Sequence, residues 1–207
     1  MSAREDPTTE RDAVRVLGIA GSLRAASYNR RLLELAVDRA PHGARVRVWG
    51  GLKSIPPFDE DDEASPAGVV LELRETIAAS DALLVVTPEY NGSLPGQLKN
   101  MLDWASRPRV GAVLREKTVA VIGASPSPSG ARTAQADARR VLTRAGALVI
   151  DSELVVPSAH ARLGAGNRLG DEELALAVRE VLLELRRAVR PAARDAAVAS
   201  LHRGTGA

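Results

Sequence analysis

The chain contains no cysteine. That absence removes disulfide staples, thiolate catalysis and cysteine-ligated metals or clusters together, and it fits a cytoplasmic location. Histidine is scarce and scattered. His42, His160 and His202 lie far apart, with no second histidine at helical ligand spacing and no HExxH arrangement, so no metal site is expected. No stretch approaches the roughly 18 consecutive apolar residues of a membrane-spanning helix. Residues 1–12 are polar and charged, without the apolar core of a signal peptide or anchor, and are expected to be disordered. A charge excess of one sign is also missing: Lys and Arg total 28 against 26 Asp and Glu, a formal charge of +2, with the arginines spread through every segment. That balance excludes the electrostatic footprint of a nucleic-acid-binding protein.

What is present suits one α/β domain. The 207 residues are 45 % hydrophobic and 26 % charged, which is long enough for a sizeable core and close to globular averages. An apolar run at 14–20 ends in Gly21 and is followed by an amphipathic stretch at 29–40, which reads as strand, loop and helix. A second strand at 45–49, a Pro-, Asp- and Glu-rich segment at 50–66 and a helix at 67–79 follow. Strand 82–87 leads to helix 95–106 and strand 118–124 to helix 132–145, before a fifth strand at 148–156. Alternating apolar strands and helices imply a parallel sheet covered on both faces, and five strands suit the flavodoxin-like order 2-1-3-4-5, a three-layer sandwich. Residues 157–170 read as a loop. Asp171 then caps a last helix whose stripe is Leu174, Val178, Leu182, Leu185 and Val189, with acids at its start and Arg186, Arg187 and Arg190 at its end, as the helix dipole favours. The domain is therefore placed at 13–190, followed by an Ala- and Arg-rich tail at 191–207.

In such a sheet ligands sit at the carboxyl ends of the strands, near the switch between the first and third. The loop at 21–29 opens directly into a helix, and Ser22, Ser27, Asn29 and Arg24 add donors and charge to the helix N-terminus. It reads either as an anion site or as an ordinary turn with Ser27 as a helix cap. A Walker loop would need Gly-Lys-Ser/Thr, and a dinucleotide fingerprint would need GxGxxG with an acid ending the second strand; neither occurs, so a tightly bound cofactor would be a mononucleotide. The second loop, Pro88-Glu89-Tyr90-Asn91-Gly92-Ser93, is either a ring-edge binder through its backbone N–H groups or a tight turn. The third, Ser125-Pro126-Ser127-Pro128-Ser129-Gly130, carries serines that solvent alone could explain.

These loops together resemble the NAD(P)H-dependent FMN reductases, the group that includes chromate and quinone reductases. The carriers are Gly21-Ser22-Leu23-Arg24 with Ser27 and Asn29-Arg30, then Thr87-Pro88-Glu89-Tyr90-Asn91-Gly92-Ser93 running on to Pro95-Gly96, Leu98-Lys99-Asn100 and Asp103-Trp104. The resemblance implies that Ser22, Arg24, Ser27, Tyr28 and Asn29 surround the FMN phosphate and ribityl chain, while Pro88, Glu89, Tyr90, Asn91 and Gly92 line the isoalloxazine, largely through backbone. Ser125 is a further ring contact on the same resemblance, although the alternating Ser and Pro depart from the family's paired glycines. It implies hydride transfer from NADPH or NADH to FMN and electron delivery to a small acceptor such as a quinone, azo compound, chromate or free flavin. No side chain is nominated as acid or base, because the cofactor carries that chemistry. It also implies a homodimer or homotetramer, with helix 95–106 and Trp104 as the candidate contact; the alternative places Trp104 in the core. Two other readings are a flavodoxin-type electron carrier reduced by a protein partner, and a flavin-free module that recruits a partner through its last helix.

Overall fold

A computed structural model of the chain describes residues 13–163 and 171–203, with side chains as far as Val189. The segment 1–12 lies outside the described residues. Five parallel strands, β1 (Val14–Ala20), β2 (Ala44–Trp49), β3 (Ala82–Thr87), β4 (Thr118–Ala124) and β5 (Leu148–Val156), pair in the expected order β2-β1-β3-β4-β5. Six helices accompany them: α1 (Tyr28–Asp38), α2 (Gly68–Ala78), α3 (Gly96–Ala105), α4 (Arg132–Arg144), α5 (Ala159–Arg162) and α6 (Glu172–Arg203). No described helix is long and apolar enough to cross a membrane.

Strand alternation sorts the core into two layers. Val14 and Val16 of β1 face Leu32, Leu33 and Ala36 of α1 and the Leu174, Val178, Leu182 and Leu185 stripe of α6, whereas Leu17 and Ile19 face α2, α3 and α4. Central β3 and β4 are buried throughout, as continuous apolar runs require, while the edge strands β2 and β5 keep exposed positions. The first crossover turns back through α1 and the later ones advance, so β1 and β3 part at the switch point and leave a crevice at their carboxyl ends.

Three details differ from the sequence reading. The segment 50–66 holds two 3₁₀ turns, Gly51–Ser54 and Asp61–Ala64, and the stretch read as loop from 157 begins with α5. Helix α6 also runs past residue 190 to Arg203, so it does not end where the tail was placed. Finally, Trp104 is fully buried: its indole Nε1 donates to Pro56 O at 2.9 Å, its ring meets Phe58 edge-on at 5.0 Å, and the Arg74 guanidinium covers it at 5.8 Å. It therefore belongs to the core and not to a contact between chains, because a buried indole needs an acceptor for its N–H and Pro56 supplies one.

Candidate active site

The three loops gather at the carboxyl ends of β1, β3 and β4. The first leaves β1 at Gly21, whose N–H still pairs with Val86 O at 2.8 Å. A Cβ at Gly21 would lie 2.8 Å from Leu98 Cδ2, so glycine is what lets the chain bend away this close to α3. From Ser22 to Asn29 no backbone N–H finds an acceptor among the described residues. These donors, with the positive end of α1 behind them and the exposed Arg24 beside them, form a ready seat for an anion.

The side chains predicted around that seat divide into two groups. Ser22 is half-buried and Arg24 exposed, and both stay uncommitted. Ser27 is buried and caps α1, its Oγ accepting from Arg30 N at 3.3 Å. The Tyr28 ring lies under the Arg31 guanidinium at 5.9 Å, and Arg31 in turn donates to Leu163 O. Asn29 is spent on the fold: its Nδ2 donates to Ala124 O and its Oδ1 accepts from Ala124 N, each at 2.9 Å. The amide of Asn29 thus ties the start of α1 to the end of β4, using one of its two Nδ2 hydrogens and its Oδ1.

The second loop is a two-residue turn. Tyr90 N donates to Ser93 O at 3.0 Å and Ser93 N to Tyr90 O at 3.1 Å, around Asn91 at φ 52° and Gly92 at φ 75°. Both central residues sit in the left-handed region, the type I′ geometry for which Asn-Gly is the preferred pair. Pro88 is buried, whereas Tyr90, Asn91 and Gly92 face solvent, and the N–H groups of Asn91 and Gly92 have no backbone acceptor among the described residues. Glu89 turns away, its Oε2 accepting from Thr133 N at 3.0 Å and Ala134 N at 3.3 Å in the first turn of α4. In the third loop, Ser125 Oγ meets Ser127 Oγ at 2.9 Å, and Ser127 Oγ meets Ser129 Oγ at 2.8 Å. The site therefore brings all three loops together, with Asn29 bonded to Ala124, Glu89 to Thr133 and Ala134, and Ser125 to Ser127. Sequence reading missed Ala124 and Thr133 as partners of Asn29 and Glu89, and Asp137, which accepts from Ser93 Oγ at 2.7 Å; among them only Asp137, a lone acid on an Arg-rich helix, carried any local signal.

A five-stranded parallel sheet of this order, flanked by helices, defines a flavodoxin-like fold. The sequence profile of the NADPH-dependent FMN reductase family matches residues 14–161. The chain is 37 % identical over 181 residues to the NAD(P)H-dependent FMN reductase PA1204 of Pseudomonas aeruginosa, covering 86 % of this chain and 97 % of that one. It is 32 % identical over 162 residues to a 2-hydroxy-1,4-benzoquinone reductase of a Burkholderia species, covering 78 % and 88 % respectively. The solved structure of FerB, a flavoenzyme NAD(P)H:(acceptor) oxidoreductase of Paracoccus denitrificans, superposes with a TM-score of 0.79 at 31 % identity over 86 % of this chain and 98 % of that one. The chain belongs to the NADPH-dependent FMN reductase family. It is an oxidoreductase whose cofactors are FMN and NAD(P)H.

Proposed function

We propose that the protein oxidises NADPH or NADH and reduces a quinone in the cytoplasm, with FMN held over the carboxyl ends of β1, β3 and β4. The observation that carries this reading is the row of N–H groups at the start of α1, including those of Ser22, Leu23, Arg24, Tyr28 and Asn29, that have no acceptor among the described residues. Their chemistry fits a phosphate dianion, and the open turn at residues 90–93 fits a planar ring lying against its backbone. When bound, FMN supplies the hydride-accepting and electron-donating chemistry. The chain supplies orientation. Ser22, Arg24 and the amides of the first loop hold the phosphate and ribityl end; Ser27, Tyr28 and Asn29 keep that loop in shape. The backbone of Pro88, Glu89, Tyr90, Asn91 and Gly92 sets the ring plane, and the N–H groups of Glu89, Asn91 and Gly92 stabilise negative charge on the ring as an oxyanion hole would. Ser125 closes the rim through its hydrogen bond to Ser127. The likeness to a benzoquinone reductase supports a quinone as the acceptor.

The test is anaerobic mixing. FMN-loaded protein is expected to lose its yellow colour on addition of NADPH or NADH and to regain it on addition of a benzoquinone. Flavin that only dithionite reduces would make the protein a carrier served by a protein partner.

We further propose that the protein is a homodimer or homotetramer joined across α3 and α4. With Trp104 in the core, the support is the segment that follows α3, where Val110 is 91 % exposed. Light scattering is expected to give a multiple of 21.9 kDa. A monomer at micromolar concentration would remove the proposal, and Val110→Glu should shift the population toward monomer.

A further inference from the structure

The turn at residues 90–93 is braced on both flanks by one helix. On its leading side Glu89 Oε2 accepts from Thr133 N at 3.0 Å and Ala134 N at 3.3 Å. On its trailing side Ser93 Oγ donates to Asp137 Oδ2 at 2.7 Å. The backbone N–H groups of Thr133 and Ala134 lie in the first turn of α4, and the Asp137 carboxylate follows one turn later. Both struts are charge-assisted, and hydrogen bonds to a carboxylate are shorter and roughly twice as strong as neutral ones. Asp137 also meets Arg140 at 3.2 Å, and the Ser93 hydroxyl, followed by Arg140, holds its carboxyl below the usual range, so it stays ionised and an acceptor. A short hairpin is only marginally stable on its own, and residues 90–92 all face solvent.

We propose that Glu89 and Asp137 are positioning residues that set the ring-side turn against α4, and that α4 is thereby the template for the flavin-ring contacts. This rests on the reading that the turn lines the flavin ring. Neither carboxylate touches the cofactor; each acts through the backbone it holds. Binding sites need their groups held within about 0.5 Å of the productive geometry, which two struts to a rigid helix achieve and a free turn does not.

The experiment uses the full chain and two ligands, FMN and lumiflavin, the latter carrying the ring without ribityl phosphate. Affinities are read by fluorescence quenching, the midpoint potential of bound FMN by spectroelectrochemistry, and folding of the apoprotein by circular dichroism. Glu89→Ala and Asp137→Ala are each expected to weaken lumiflavin binding about tenfold. Each should also lower the midpoint potential by about 30 mV, because a turn with displaced donors loses about tenfold more affinity for the reduced ring than for the oxidised one. Glu89→Gln and Asp137→Asn, which keep a neutral acceptor, should recover most of both changes. Asp137 lies on the rim of α4, so its variants keep the test open even if Glu89→Ala fails to fold. Unchanged lumiflavin affinity and potential in folded Asp137→Ala would overturn the inference and leave the flavin site standing. A parent protein that binds neither flavin would overturn the inference together with the proposed function.

Discussion

Riboflavin is expected to bind this protein about a hundredfold more weakly than FMN. The two ligands differ only in the phosphate, and the loop from Ser22 to Asn29 offers it unmatched backbone N–H groups at a helix N-terminus with Arg24 at the rim. A hydrogen bond to a charged group contributes roughly 1.5 to 3 kcal/mol, and 1.4 kcal/mol is tenfold in affinity, so losing even two such bonds gives about a hundredfold. The first turn of α4 does not compete for the dianion, because Glu89 already occupies its N–H groups and would repel a second negative charge. Arg24 is exposed, so solvent screens its charge, and Arg24→Ala should weaken FMN by only about tenfold. Arg24→Glu should do worse. Titration by flavin fluorescence quenching reads all of these. A parent protein that binds riboflavin within a factor of three of FMN would show that this loop is not a phosphate seat.

The parts of the structure that the sequence made legible are those decided by local pattern. β3 and β4 read as continuous apolar runs because both of their faces are buried, and the phase of Leu98, Met101 and Leu102 placed α3 because a helix buries one stripe. Motif order then located the three loops. What escaped is every polar commitment between distant segments. Asn29 reaches Ala124 across 95 positions, Trp104 reaches Pro56 across 48 and Glu89 reaches Thr133 across 44. Each of these residue types is ambiguous in a sequence: an Asn in a phosphate loop, a Trp near a cleft and a Glu in a ring-side turn look like ligands. Their partners are backbone groups, which every residue carries, so nothing in the string distinguishes them. Arg139 is a further case, its guanidinium donating to the carbonyls of Val121, Ile150 and Ser152 where the β4–β5 register slips. An Arg on an Arg-rich helix gives no hint that it fills a bulge.

Asn29→Ala separates the two roles that this residue type suggested. The side chain is 3 % exposed and satisfies both the N–H and the C=O of Ala124 at the end of β4. Removing it leaves two buried backbone groups unpaired, at roughly 1 to 3 kcal/mol each, so the variant should lose on the order of 2 to 4 kcal/mol. At about 2 to 4 °C per kcal/mol for a domain of this size, thermal unfolding should move down by roughly 5 to 15 °C. Asn29→Asp refines the point. Its carboxylate can still accept from Ala124 N, but its second oxygen must face Ala124 O unless it is protonated. Its folded pKa therefore rises above the unfolded value of about 3.9. The carboxyl takes up a proton more readily in the folded state, so Asn29→Asp should regain stability relative to the parent as pH falls through the raised pKa, and lose it as pH rises. Through all of this the preference for FMN over riboflavin should stay within threefold of the parent value, because the phosphate donors lie in the backbone and in Ser22 and Arg24. A variant with unchanged melting temperature and a collapsed FMN preference would mean that Asn29 holds the phosphate and that its bond to Ala124 is incidental.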